Sequence, residues 1–424
     1  VREIAEALRG FRAAGVGFAV ATVVRVRGSA PRPAGAALAV TDDGEVVGSV
    51  SGGCVDGDVY ETARQALRAA TPTLASYGIA DDDALTIGLT CGGAIDIAII
   101  PYPAAAPRPA LDAALAAVAT GEPIAVLTVL AGPALGTQTV VGPDPDPGQP
   151  PRHGPAPFTA TLAASDSAAS DSAASGSADP AVSAPVDDAP ADGAAAGAVP
   201  NDAAERDARA MLSDGRTGVR RYGLRAGETG GGVVPVFVQS FTAPPRMIVI
   251  GAVDYAAALA RAGRFLGYRV TVCDPRPVFA TGRRFPDADE VVCGRPAAYL
   301  DGAQIDRDTV ICVLSHDPKV DVPVLRVALR SPAGYVGAMG SRRTHADRLR
   351  RLRAAGATEG ELARLRSPIG LDLGARTPEE TAVSITAEII QSRSGGSGRP
   401  LRDTHGHIHP APTVPTGPTV IILA

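Results

Sequence analysis

Met247-Ile248-Val249-Ile250-Gly251-Ala252-Val253-Asp254-Tyr255-Ala256 is the stretch that decides the fold. Four apolar residues make a short buried strand, one glycine turns the chain, and a helical pattern follows at once. Residues 268–273, 290–292, 309–314 and 334–338 repeat the signal as short apolar runs of the kind found in buried parallel strands. Helical segments lie between several of them. Successive βαβ units of this type predict a doubly wound parallel sheet over residues 244–392. Ligands of such sheets bind outside the carboxyl ends of the strands. The candidates there are Gly251, then Asp274 and Arg276 after the second strand, His316 after the fourth, and the junction Gly340-Ser341-Arg342.

The phosphate signature of a dinucleotide fold, GxGxxG, is incomplete. Val253 stands where the second glycine lets a pyrophosphate approach the backbone, and Asp254 adds negative charge beside it. The fold signal is good and the NAD(P) signal poor. Asp274 still suits a ribose hydroxyl, and Gly340, Ser341 and Arg342 offer amides and a cation to an anion. His316 reads equally as an acid/base or binding residue and as a satisfied loop histidine. Thr377-Pro378-Glu379-Glu380 is a capping box with proline at the first helical position, and so chiefly a helix start.

Upstream, residues 1–142 read as a mixed α/β domain. A short helix carries Ile4, Leu8 and Phe11 on one face, and residues 18–26 form a β-branched strand. Asp42-Asp43-Gly44 turns a hairpin between 36–40 and 45–50. A helix over 55–69 precedes strands at 84–89, 94–100, 124–130 and 137–141. Residues 143–203 are an Ala/Pro/Ser/Asp-rich tract, including two SDSAAS repeats, with almost nothing large and apolar to bury. Such a tract cannot offset roughly 1–2 kcal/mol of ordering entropy per residue, so it is expected to be a disordered insertion. A helix at 204–212 and a strand at 233–241 are expected to complete the first domain within 204–243. Residues 393–424 read as a flexible tail, in which His405, His407 and His409 alternate.

Three loops of the first domain carry the chemistry. In Gly48-Ser49-Val50-Ser51-Gly52-Gly53-Cys54-Val55-Asp56-Gly57 a strand ends, paired glycines turn the chain, and Cys54 sits at the mouth of a helix. Helix-start amides draw a thiol toward thiolate, while Asp56 pushes the other way. Leu89-Thr90-Cys91-Gly92-Gly93-Ala94 nearly mirrors it. Glycine allows close approach to a ligand, and a thiolate suits a soft or high-valent metal or a sulfur cargo. Ser51, Gly52, Gly53, Gly92 and Gly93 are therefore candidate contacts with Cys54 and Cys91, with Cys54 the direct metal or sulfur contact. Arg27-Gly28-Ser29-Ala30-Pro31-Arg32-Pro33-Ala34-Gly35 adds Ser29 and Arg32, suited to an oxyanion or phosphate. For each loop the bland alternative is a tight turn. Cys273, Cys293 and Cys312 end or line apolar strands and read as packing residues.

The 424 residues fit two or three domains at ~150 residues each. A formal charge of −5 excludes a general electrostatic grip on nucleic acid. Arginine supplies the cations almost alone, Lys319 being the only lysine, which reflects base composition rather than a phosphate site. Five cysteines without CxxC spacing make neither a disulfide framework nor a four-cysteine zinc site. No apolar run reaches the roughly 18–20 residues of a membrane span and no signal pattern opens the chain. Val1 in place of Met points to an alternative start or a truncation. A cytoplasmic protein is expected, with no membrane partner.

Together RGSAPRPAG, GSVSGGCVDG, GLTCGGAID, VIGAVDYAAAL, VTVCDPRP, GAMGSRRTH and PIGLDLGARTPEETAVSI resemble the XdhC/CoxI family across most of both folded regions. The resemblance implies an N-terminal mixed α/β domain and a Rossmann-like doubly wound C-terminal one. It also implies a maturation factor for molybdenum hydroxylases such as xanthine dehydrogenase or carbon monoxide dehydrogenase. Such a factor binds molybdenum cofactor (molybdopterin) transiently, assists its sulfuration with a cysteine desulfurase, and passes it to the apo-enzyme. Cys54, Cys91, Ser29 and Arg32 fall on the family's motifs. Many members have a GAG-type turn where this chain has Gly251-Ala252-Val253. A non-catalytic accessory protein is expected, with a homodimer as one assembly. An NAD(P)-dependent oxidoreductase and a cofactor-free assembly scaffold are the alternatives.

Overall fold

The structure is a computed structural model, and it describes residues 1–78, 93–104, 106–143, 202–223, 233–405, 408 and 420–421. Its contacts divide the chain into Val1–Ala243 with Gly406–Ala424, and Pro244–His405.

In the first unit α1 (Ala5–Ala13) buries Leu8 and Phe11. The central strand β1 (Phe18–Arg27) follows. Side chains of a strand alternate between faces, so Ala19, Ala21 and Val23 join one core while Phe18 and Val20 join another. β2 (Ala37–Thr41) and β3 (Val46–Gly48) form the expected hairpin, with Gly44 at φ +96° in its turn. α2 (Asp56–Ala69), β4 (Thr73–Tyr77) and β5 (Ala94–Tyr102) complete an antiparallel sheet of order β3-β2-β1-β5-β4. Val59, Ala63 and Ala66 of α2 cover the Ala19–Ala21–Val23 face. The strand expected at 84–89 lies outside the described residues.

α3 (Pro109–Thr120), β6 (Ile124–Val129), β7 (Gln138–Val141), α4 (Asp202–Ser213), β8 (Gly218–Gly223) and β9 (Val233–Phe241) build a second sheet of order β8-β9-β6-β7, its strands antiparallel. Phe18 and Val20 of the first sheet share a core with Val126 and Phe241 of the second, so the two sheets pack face to face. Fully burying side chains such as Phe18 and Phe237 contributes about 1.5–3 kcal/mol each. Ala204, Ala208, Met211 and Leu212 of α4 cover the outer face of the second sheet. α4 begins at Asp202, inside the tract read as insertion, whose residues 144–201 lie outside the described ones. Val420 and Ile421, expected in a flexible tail, pair in parallel with β8.

The second unit runs β10 (Arg246–Ile250), α5 (Asp254–Phe265), β11 (Arg269–Asp274), β12 (Glu290–Cys293), α6 (Pro296–Gly302), β13 (Val310–Val313) and α7 (Pro318–Arg330). It continues with β14 (Tyr335–Ala338), α8 (Arg342–Ala354), α9 (Glu359–Ala363), β15 (Leu365–Arg366) and α10 (Pro378–Ser394). All pairings are parallel, in the order β12-β11-β10-β13-β14-β15. This is the doubly wound sheet predicted from the apolar runs. Met247 and Val249 meet α5 and α10, whereas Ile248 and Ile250 meet α7 and α8. Helices on both faces explain why these strands are apolar throughout rather than alternating. The order reverses between β10 and β13, and a crevice is expected there at the strands' carboxyl ends.

Cys273 and Cys312 are fully buried, and burial pushes the Cys273 thiol up to about 12. Cys293 is exposed at the end of β12, so a packing role does not hold for it.

Candidate functional site

Strand directions bring three loops to one end of the first sheet. Arg27 closes β1 opposite Ala94, which opens β5, so the Gly28–Gly35 loop and Gly93 meet there. Gly48 closes β3 opposite Leu38, next to the start of β2, which places the Ser49–Val55 loop at the same end. Ala30 from the first loop, Val50, Cys54 and Val55 from the second, and Ile95 just after the third share one hydrophobic cluster. Gly93 lies so close to the Ser29 carbonyl that a Cβ would sit 2.1 Å from it. Cys91 and Gly92, two residues and one residue earlier, lie outside the described residues.

Asp56 organises the cysteine loop. Its carboxylate accepts from the Ser49 hydroxyl at 2.5 Å, the Ser51 hydroxyl at 2.8 Å, and the amides of Val50 at 3.2 Å and Ser51 at 3.0 Å. Ser51 is buried, and its hydroxyl also accepts from the Val55 amide at 2.9 Å. Partial burial pushes the Asp56 carboxyl up, but these hydrogen bonds outweigh it and hold the group below its ordinary value. Gly52 and Gly53 take φ +72° and +114°, backbone that L side chains avoid, and nothing stands within 4 Å of where a Cβ would be. The outcome is an open glycine turn that delivers half-buried Cys54 to the mouth of α2. Among the described residues no group of three His, Cys, Asp or Glu side chains is placed to hold a metal ion.

Of the two residues expected from the GSAPR loop, Ser29 is buried against Gly93. Arg32 is ion-paired with Glu3, so its charge is already matched within the chain. The cation at this end of the sheet that sequence reasoning passed over is Arg27. Its guanidinium is 58 % exposed and held 2.8 Å from buried Asp96, which Arg25 and Ser76 also contact. Arg25 and Asp96 are cross-strand partners on β1 and β5, a pairing that only the register reveals.

In the second unit Gly251 takes φ +111°, and a Cβ there would meet the Ser315 amide at 2.9 Å. Glycine thus lets the ends of β10 and β13 close together. Ser315 donates to Asp321 of α7, and Asp321 pairs with Arg348 of α8 at 3.0 Å, both partners buried. Arg348 also donates to the Met339 carbonyl at 2.7 Å and the Ser367 hydroxyl at 3.0 Å. One buried arginine thereby ties the loops after β13, β14 and β15; no sequence motif marks it. His316 is exposed beside this network. Ser341 caps α8 by accepting from the Thr344 amide at 3.1 Å, and Arg342 is exposed in the first turn. Gly340 takes φ +149°. Asp274 and Arg276 pair at 2.9 Å at the end of β11. Arg284, which no motif flagged, sits 3.1 Å from Asp254 and neutralises the charge expected to repel phosphate.

The XdhC and CoxI family model matches residues 11–78, and the XdhC Rossmann domain model matches residues 247–389. Over 169 residues the chain is 30 % identical to the uncharacterized protein YqeB of Escherichia coli K12, covering 40 % of this chain and 31 % of that one. It is 33 % identical over 158 residues to a probable xanthine dehydrogenase subunit of Bacillus subtilis 168, covering 37 % and 46 %. Against the molybdenum cofactor insertion chaperone PaoD of Escherichia coli K12 it is 40 % identical over 91 residues, covering 22 % and 29 %. The chain thus spans between about a third and a half of the length of these relatives. The crystal structure of a xanthine dehydrogenase from Bacillus halodurans superposes with a TM-score of 0.62 at 20 % identity over 94 % of this chain and 97 % of that one, a likeness of fold. With one matched stretch in each unit, and the RGSAPRPAG and GSVSGGCVDG loops inside the first, the chain belongs to the XdhC/CoxI family.

Proposed function

We propose that this protein is a maturation factor for a molybdenum hydroxylase. It binds molybdenum cofactor transiently around Cys54, supports sulfuration of that cargo together with a cysteine desulfurase, and passes it to the apo-enzyme in the cytoplasm. The observation that carries this reading is the open glycine turn held by Asp56, with a thiol at the start of a 14-residue helix. A thiolate there suits a cargo with a high-valent metal and sulfur ligands, and helix-start amides favour its anionic character. Ser29, Ser51, Gly52, Gly53 and Gly93 line the same end of the sheet, and Cys91 and Gly92 join them by sequence. The similarity to a named cofactor insertion chaperone supports this role. The protein acts as an accessory without a catalytic residue of its own.

Co-expression with a hydroxylase operon tests the proposal. Client activity in a strain lacking the factor should return with the wild-type chain and fail to return with folded Cys54→Ser. Equal rescue by the variant removes Cys54 from the role. Rescue of the client by a wild-type chain that itself purifies without molybdenum or pterin would favour a cofactor-free scaffold instead.

A further inference from the structure

Asp274 stands at the carboxyl end of β11, where a dinucleotide fold places the acid that holds the ribose diol. Here that carboxylate is already filled. Oδ1 accepts from the Arg276 amide and from Arg276 Nε, both at 2.9 Å. Oδ2 accepts from the Ala252 amide at 2.7 Å and from Arg276 Nη2 at 2.9 Å. A carboxylate has about four acceptor positions, so none remains for a ribose hydroxyl.

What this end of the crevice presents instead is the guanidinium that Asp274 grips. Arg276 is 52 % exposed against 2 % for Asp274, and its guanidinium carbon lies 4.5 Å from the centre of the Phe279 ring. Carboxylate and ring fix its orientation before any ligand arrives. Both Nη1 hydrogens and the second Nη2 hydrogen have no protein acceptor among the described residues. Arg284, whose guanidinium carbon lies 5.3 Å from the centre of the same ring, is committed to Asp254 and to the Ala252 carbonyl at 3.3 Å, so it does not duplicate the role. Val253 meanwhile keeps a side chain where a pyrophosphate needs glycine.

We propose that this subsite binds a phosphate monoester of a nucleotide through Arg276, in place of the ribose diol. The proposal rests on the maturation reading and narrows what the second unit recognises. A guanidinium fork matches phosphate geometry, and pre-orientation lowers the entropy lost on binding. A 2′-phosphate of a dinucleotide and the 5′-phosphate of a mononucleotide offer the same chemistry.

Calorimetry on the full chain with adenosine, 2′-AMP and 5′-AMP tests it. At least one monophosphate should bind about tenfold or more tightly than adenosine, the scale of one charge-assisted hydrogen bond. Arg276→Gln should abolish that preference and Arg276→Lys, which keeps charge without the fork, should restore part of it. The preferred isomer tells which source of phosphate the subsite fits. Adenosine binding as tightly as both monophosphates, no binding of any of the three, or a preference that survives Arg276→Gln would overturn the proposal. Molybdenum and pterin content of the same preparations is measured separately. Cofactor retained without a phosphate preference sinks this subsite alone, whereas a preference without cofactor sinks the maturation reading.

Discussion

At the scale of single residues, Asp56 changes meaning between sequence and structure. Beside Cys54 in the sequence it is a charge that opposes a thiolate. In the fold it is the anchor that four hydrogen bonds converge on, because the chain returns Ser49 and Ser51 to it across the turn. Spacing alone does not reveal such a return. The glycines were legible, since only glycine takes φ +72° and +114° freely. Ser29 was legible as a loop residue, but its partner Gly93, 64 positions away, was not. The pairing of Arg32 with Glu3 was not legible, because nothing in its loop announces that partner. Asp56→Ala leaves two hydroxyls and two amides without their acceptor. It should destabilise the first unit by about 1–3 kcal/mol, the cost of orphaning partly buried polar groups. Urea titration measures it, and an unchanged midpoint would show that the loop holds itself without Asp56.

At the scale of elements, local signals survived best. Thr377 and Glu380 form both halves of the capping box at the start of α10, as their spacing foretold. β4 went unseen because Thr73–Tyr77 lacks a long apolar run, and two-residue β15 is too short to signal at all. The Asp321–Arg348 pair links α7 to α8 and was equally silent, being an acid and a base within ordinary helical sequence. Arg348→Met leaves a buried carboxylate and two further acceptors unpaired. A loss of about 3–5 kcal/mol is expected, against little change when Asp321 and Arg348 are both replaced by apolar residues. Thermal melting of single and double variants distinguishes a linked pair from two independent contacts.

The end of β11 predicts a pH dependence. Burial pushes the Asp274 carboxyl up, but the hydrogen bonds from Arg276 and the Ala252 amide outweigh it, leaving the group below its ordinary 3.8. The unfolded chain therefore binds this proton more readily than the native one. The stability Asp274 contributes is fully present above its ordinary value and is lost as pH falls through the lower folded value. Asp274→Asn should flatten the acid limb of the stability curve for the second unit. An acid limb as steep as wild type would mean that other carboxylates govern it.

At the scale of the molecule, the second unit was readable because a parallel sheet covered on both faces writes itself as apolar runs at regular spacing. The return of the chain from β12 across the sheet to β13, beside β10, is not written in those runs. The first unit was harder. Its two face-to-face sheets draw on strands separated by the residues 144–201, and antiparallel pairing of β6 with β9 joins positions more than a hundred apart. Sequence could name the strands but not distribute them between sheets. No helix among the described residues is long and apolar enough to cross a membrane.

The proposed handling of a pterin cargo rests on the Cys54 loop of the first unit, and one measurement bears on it most directly. The wild-type chain and Cys54→Ser are purified without oxygen from a host that makes molybdenum cofactor. Molybdenum is then counted by mass spectrometry and pterin by fluorescence after oxidation, with circular dichroism confirming the fold of both. The account predicts that metal and pterin co-purify in equal amounts with the wild type and are lost from a folded variant. Equal content in the two proteins, or none in the wild type, would contradict it.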